Sequence, residues 1–115
     1  MIKLSLKNWL LPTVLFLGWM VGGCSQKQRH TPVRVAVTLQ QMKFMPSEII
    51  VHVGDTVVFT NKGIVIHDVT EDPGKAWTSG PIPIGGSFKL VIQEDVHYYC
   101  SIHPVMKGKI TVLRE

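Results

Sequence analysis

The sequence has few cysteines and little charge. Of its 115 residues, 2 are cysteine and only 17% are charged, with 12 Lys and Arg against 8 Asp and Glu. No basic run is dense enough to predict nucleic-acid binding. No internal repeat, low-complexity tract or helical period is evident, which excludes a repeat architecture and a helical bundle. The hydrophobic fraction of 45% indicates one folded or membrane-associated domain rather than a disordered chain.

Residues 1–23 have the organisation of a secretory signal peptide. Lys3 and Lys7 precede an uncharged run from Asn8 to Gly23, and small residues lead up to Cys24. The apolar run is short for a bilayer span of about 20 residues, and an uncleaved membrane anchor is the alternative. The stretch "VGGC" resembles a bacterial lipoprotein signal, which implies that Cys24 is lipidated and becomes the first residue of the mature chain.

A lipidated Cys24 has consequences for the rest of the chain. It cannot pair with Cys100, so Cys100 is left as a single thiol in an oxidising compartment, where a bound metal would keep it reduced. Loss of the two lysines in the signal lowers the net charge from +4 to about +2. Residues 24–32 are then a polar tether, and residues 33–115 are the domain. We expect it in the cell envelope, anchored to a bacterial membrane and facing the periplasm or the cell exterior.

The domain has a β pattern throughout. Alternating or β-rich runs are separated by Gly, Pro and Asp turn signals; these runs are "VRVAVTL", "SEIIVHV", "TVVFTN", "IVIHDVT", "SFKLVI", "VHYYC" and "KITVL". The two runs on either side of Gly54 and Asp55 predict a hairpin. Several short strands with regular turns predict an all-β fold, an antiparallel sandwich or barrel.

Three metal-donor side chains lie three residues apart in "CSIHPVM", namely Cys100, His103 and Met106. Three-residue spacing on a tight connection places all three on the inside of a turn, and His67 in an earlier run is the candidate fourth ligand. Two imidazoles, a thiolate and a weak thioether form the trigonal blue-copper set. Such a set leaves no position for substrate, which favours electron transfer over catalysis.

Two alternatives compete with copper at this loop. Zinc accepts Cys and His but is poorly served by a thioether. Any one of these side chains alone is more often structural, because a buried Cys or Met usually packs in the core. The joint spacing of the donors favours copper.

The segment "YYCSIHPVMKGKITV" resembles the ligand loop of the cupredoxins, and its short Cys-to-Met spacing is most similar to amicyanin. Plastocyanin-like members have a longer loop. The segment "MKFMPSEIIVHVGDTVVFTN" resembles the early strands of the same family. The resemblance covers nearly the whole mature domain. It implies a Greek-key β-sandwich with one type 1 copper held by His67, Cys100, His103 and Met106.

One position departs from the family pattern. After the first His ligand the family usually has Asn, which ties its strand to the residue after the Cys ligand; here these positions are Asp68 and Ser101. An ionised Asp68 can accept a hydrogen bond from the N–H or hydroxyl of Ser101. Its negative charge near the metal favours Cu(II), so we expect a lower reduction potential than Asn would give.

The resemblance also implies how electrons enter and leave. The exposed edge of His103 would be the electron-transfer port, inside an apolar patch formed by Pro104, Val105 and Ile102. We expect a monomer that docks transiently on redox proteins, a cytochrome or an oxidoreductase. The alternative function is copper delivery or sequestration at the cell envelope. The closed donor set and the lack of a Met- or His-rich tract favour the electron carrier, which is not an enzyme.

The remaining His and Met residues are assigned no metal. His30 falls in the predicted tether, and His52 and His97 are expected on the solvent side of strands. Met42 and Met45 suggest a second copper site, but two thioethers without a third donor are more often packing residues.

Overall fold

The computed structural model describes Gly18, Gly22, Gly23 and residues 28–114. The predicted lipidation site at Cys24 and nearly all of the predicted signal peptide lie outside the described residues. No helix among the described residues has the length and hydropathy needed to cross a bilayer.

Eight strands account for the described domain, and its regular structure is entirely β. The strands are β1 Arg34–Gln40, β2 Lys43–Met45, β3 Glu48–His52, β4 Thr56–Asn61, β5 Thr70–Glu71, β6 Ser87–Val91, β7 Val96–Tyr99 and β8 Lys107–Leu113. Side chains alternate between core and surface because successive residues of a strand point to opposite faces. In β4, for example, Val57, Phe59 and Asn61 are buried and the residues between them are partly exposed.

The strands form two four-stranded sheets that share one core. The order is β2-β1-β4-β6 in the first sheet and β3-β8-β7-β5 in the second. The predicted all-β sandwich is confirmed, with one difference in strand direction. β1 pairs with β4 and β3 pairs with β8 in parallel, so both sheets are mixed rather than wholly antiparallel. Alternating hydrophobicity marks the buried face of a strand but does not report the direction of its neighbour.

The predicted hairpin at Gly54 and Asp55 is wrong. β3 and β4 belong to different sheets, so the turn between them is a corner that carries the chain across the sandwich. Gly54 has a φ of 94°, which glycine adopts readily. Asp55 is buried, and its carboxylate accepts hydrogen bonds from the backbone N–H of Val33 (3.0 Å) and of His52 (2.9 Å). A Gly-Asp turn between two alternating runs does not distinguish a hairpin from such a corner.

An aromatic cluster fills the centre of the sandwich. The ring of Tyr98 makes edge-to-face contacts with Phe44 and Phe59, at centroid distances of 4.8 and 5.2 Å. Gly108 on β8 lies against the Tyr98 ring, where an added Cβ would be 2.3 Å from ring atoms. The side chain of Tyr98 therefore fills the space that any larger residue at position 108 would need.

The two ends of the sandwich carry different features. β1 and β4 run parallel from an end near Asp55 to an end where the N–H of Lys62 donates to the carbonyl of Leu39 at 2.9 Å. We call the first the corner end and the second, with loops 62–69, 81–86 and 100–106, the loop end. The six residues of β4 separate the two ends by about 17 Å.

Candidate metal centre

The segment that carries His67 is held by a buried side chain rather than by a sheet. A strand was expected over "IVIHDVT", but only Thr70–Glu71 is paired as β5. The side-chain amide of Asn61, fully buried, donates to the carbonyls of Val65 (2.8 Å) and Ile82 (3.0 Å) and accepts from the N–H of Gly63 (2.9 Å). A single antiparallel bridge then joins His67 to Ile82. These contacts fix the position of the first predicted ligand.

Sequence reasoning missed Asn61. The signal that identifies it is the buried phase of β4, in which Val57 and Phe59 are core residues and Asn61 follows two positions later. An amide at a core position must be hydrogen-bonded, because an unpaired buried polar group costs about 1–3 kcal/mol. Asn61, at the end of β4, therefore holds the neighbouring loops in place through its side-chain hydrogen bonds.

The loop from Cys100 to Met106 is closed by its own backbone. The N–H of His103 donates to the carbonyl of Cys100 (3.2 Å), and the N–H of Met106 donates to the carbonyl of His103 (2.9 Å). The N–H of Cys100 donates to the carbonyl of Met106 (3.0 Å). Hydrogen bonds between residues three apart coincide with the three-residue spacing of the donors, which is why the ligand side chains gather on one side of the turn.

Three of the four predicted ligands converge on one point. The Nδ1 atoms of His67 and His103 are 3.2 Å apart, and each lies 3.8 Å from the Sγ of Cys100. The point equidistant from the three atoms is about 2.1 Å from each, which matches metal–imidazole bonds of about 2.0–2.1 Å and is close to a metal–thiolate bond of about 2.3 Å. Met106 is buried at the end of the same loop and completes a His-Cys-His-Met set. The residues present fit one type 1 copper ion.

Asp68 joins the two ligand segments beside this centre. Its carboxylate accepts hydrogen bonds from the N–H of Ser101 (2.7 Å) and from the hydroxyl of Thr70 (3.1 Å), and it also contacts the Ser101 hydroxyl. Its backbone N–H points to the Sγ of Cys100 at 3.4 Å. Asp68 therefore connects the two ligand segments, as the sequence predicts. The positive end of its backbone N–H dipole points at the sulfur.

The electrostatics of the centre favour a neutral imidazole at His67, which is the metal-binding form. Burial lowers the pKa of His67, and the neighbouring His103 lowers it further, while the carboxylate of Asp68 opposes both effects. Two imidazoles that face each other at 3.2 Å cannot both be protonated without repulsion.

Only one predicted ligand reaches the surface. His67, Cys100 and Met106 are buried, whereas His103 is partly exposed. At the same end of the sandwich, the three loops of the loop end carry exposed apolar side chains. These are Ile102 (47% exposed), Pro104 and Val105 (83%) from the ligand loop, with Ile64 (90%), Ile66 (49%) and Ile84 (61%) from the other two loops. We call these six residues the apolar face. The sequence predicts the first three of them and misses the three isoleucines.

Comparison with known proteins gives consistent results. No protein-family model matches the chain. Amicyanin of Paracoccus denitrificans is 32% identical over 84 residues, which are 68% of this chain and 64% of that protein. A copper(I) structure of an amicyanin mutant superposes with a TM-score of 0.65 at 28% identity, covering 70% of this chain and 82% of the other. The chain is an amicyanin-like protein of the cupredoxin fold.

The matches with these known proteins cover only part of each protein. The amicyanin-like chain spans 64% of the length of the curated relative it matches. A copper-containing nitrite reductase from Thermus scotoductus also superposes on the amicyanin-like domain, with a TM-score of 0.66 at 25% identity. That match covers 75% of this chain but only 24% of the reductase, so the likeness is to one part of the larger enzyme.

Proposed function

We propose that the protein is a one-electron carrier that holds a single type 1 copper ion with His67, Cys100, His103 and Met106. The observation that carries the proposal is the triangle of two imidazole nitrogens and one sulfur, whose centre lies at bonding distance from all three atoms. When bound, copper would supply a Cu(I)/Cu(II) couple, with the thioether of Met106 as its weakest donor. The Cu(I) amicyanin structure of similar fold supports copper over zinc.

The residues around the centre suit electron transfer better than catalysis. Four protein donors leave no position for a substrate, which an enzyme with a metal centre would need. Asn61 fixes the His67 segment and three backbone hydrogen bonds close the Cys100 loop, so the donors are held in place independently of the oxidation state. A site that moves little on gaining or losing one electron serves a carrier.

Partners would exchange electrons through His103, the one partly exposed ligand. The apolar face lies at the same end of the sandwich and is the proposed docking surface for a cytochrome or an oxidoreductase. Such a face suits a small and transient encounter, because no ion pair has to be desolvated at its centre. Lys62 and Lys107, at the margins of the loop end, would steer an acidic partner toward it.

We extend the proposal to the cell envelope, with a lipid anchor on Cys24. The "VGGC" pattern supports it. The side chain of His30 lies 2.7 Å from Asp55, so the chain enters the domain at the corner end. An anchor six residues before His30 would leave the apolar face directed away from the bilayer, toward the periplasm or the cell exterior.

The visible absorption spectrum of the full-length chain with one equivalent of Cu(II) tests the carrier function. We expect an intense thiolate-to-copper band that bleaches with ascorbate and returns on reoxidation. Cys100→Ser should abolish the band, and Cys24→Ser, which removes the other cysteine of the chain, should leave it unchanged. A colourless protein that retains only Cu(I), or that prefers Zn²⁺, would instead indicate delivery or a structural site.

A further inference from the structure

A second cluster of metal-donor side chains lies at the corner end, on the far side of the domain from Cys100. We propose that His30, His52 and Asp55 form a second metal-ion site, for a divalent cation of the borderline class such as Zn²⁺. The three residues come from different parts of the chain: the segment before β1, the end of β3 and the corner that follows it. The inference does not depend on the copper centre.

The geometry of the cluster is close to that of a chelating site. The Nε2 of His30 is 2.7 Å from the Oδ1 of Asp55, and the Nδ1 of His52 is 4.0 Å from the Oδ2. One donor atom from each residue lies within 4.8 Å of the other two. The corresponding distances in the copper centre are 3.2–3.8 Å, so moderate rotation of the two imidazole rings would bring all three donors to bonding distance.

Asp55 is held in place for this role by backbone groups. It is 1% exposed, and each of its carboxylate oxygens accepts one backbone N–H, from Val33 and from His52. Although burial alone would raise the pKa of Asp55, these hydrogen bonds and the neighbouring His30 lower it to about 2. The carboxylate is therefore ionised at neutral pH. Hydrogen bonds that orient a carboxylate ligand are typical of metal sites.

The two histidines lie together at the surface. Their rings stack at a centroid distance of 3.9 Å with an interplanar angle of 19°. Their side chains are 28% and 30% exposed, so an ion can approach from solvent. Two imidazoles and one carboxylate are a donor set that Zn²⁺ accepts with water in the remaining position. The set has no thiolate or thioether to favour Cu(I).

Nearby cations limit the affinity of the proposed site for a metal ion, and its position predicts an effect on the stability of the fold. Arg29 and Arg114 line the adjoining groove, so we expect weaker binding than a site without nearby cations would show. An ion held by His30 would fasten the segment before β1 to the corner of the sandwich. The site would thereby stabilise the folded domain in proportion to its occupancy.

The test is a calorimetric titration of the copper-loaded, full-length chain with Zn²⁺. We expect one equivalent of Zn²⁺ to bind without loss of the copper band. His30→Ala and His52→Ala should each weaken that binding at least tenfold, whereas His97→Ala, which removes an exposed imidazole on β7, should not change it. His30 precedes the first strand, so its substitution leaves the sheets intact.

A second titration separates this site from the copper centre. The Cys100→Ser chain, without copper, should still bind Zn²⁺ in a manner that depends on His30. This result is expected whether or not the parent protein carries electrons. The proposal is overturned if no Zn²⁺ binds beyond the copper centre, or if the affinity is the same in the His30→Ala, His52→Ala double variant.

Discussion

Replacing Asp68 with Asn should raise the reduction potential of the copper centre. The two side chains have the same shape, and the retained carbonyl oxygen can still accept the 2.7 Å hydrogen bond from the N–H of Ser101. The new amide can donate to the Ser101 hydroxyl, which the carboxylate contacts from the other oxygen. The substitution therefore removes one negative charge and keeps the connection between the two ligand segments.

The magnitude follows from the position of the charge. Asp68 is 5% exposed, and its backbone N–H is 3.4 Å from the Sγ of Cys100, so its carboxylate is a near neighbour of the centre. We take a charge separation of roughly 7 Å for the calculation. At an effective dielectric constant of about 20, unit charges at that distance interact by about 2.4 kcal/mol. For one electron this corresponds to about 100 mV. Because Cu(II) carries one more positive charge than Cu(I), the carboxylate favours Cu(II), and its removal raises the potential.

The potential would be measured by spectroelectrochemical titration of the visible band in both proteins at one pH and ionic strength. We expect an increase of about 30–100 mV, the lower value allowing for partial screening by solvent. Glu94→Gln removes an exposed charge from the turn between β6 and β7, at the corner end, and should shift the potential by less than about 10 mV. An Asp68→Asn protein with an intact band and an unchanged or lower potential would refute the electrostatic argument.

Three further changes test how the fold is held together. Gly108→Ala should lower the free energy of unfolding by about 2 kcal/mol, because the new Cβ would lie 2.3 Å from the Tyr98 ring. Urea titration measures this change, and an unchanged midpoint would contradict the packing of Gly108 against Tyr98. Asn61→Ala removes three hydrogen bonds and should cost about 3 kcal/mol in the same assay. The matched control is Thr60→Ala, which changes the neighbouring, partly exposed residue and removes one side-chain hydrogen bond, to Ser87. The folded pKa of Asp55 is about 2, below its unfolded value of 3.8. Its contribution is therefore complete above about pH 5 and is lost as the pH falls through about 2. Acid titrations should show up to about 2 kcal/mol more loss of stability in the parent than in Asp55→Asn; parallel curves would argue against this role.

The fold was largely predictable because burial on one face leaves a period of two in the sequence. The runs that became β1, β4, β6, β7 and β8 carry that period. Strand pairing was less predictable, since β3 and β4 are adjacent in the chain but lie in different sheets. The three-residue strand β2 is too short to show a period. The His67 segment is fixed by the Asn61 side chain and one bridge to Ile82 instead of by a strand.

The candidate site was predictable where its chemistry is local. Cys100, His103 and Met106 lie within seven residues, so their spacing alone indicated a common turn. The cluster of His30, His52 and Asp55 gave no such signal, because two of its members are 25 residues apart and each alone resembles a surface or turn residue. Such a cluster depends on where the corner of a sandwich places the chain, which local periodicity does not encode.

The three hydrogen bonds of Asn61 also bear on how the metal arrives. They assemble loop 62–69 from the polypeptide alone, and the backbone of the Cys100 loop closes in the same way. Metal uptake would then involve no ordering of the chain, and the entropy cost of arranging the donors would already be met by folding. Exchange of the ion would be controlled by access past the ring of His103 rather than by refolding of the domain.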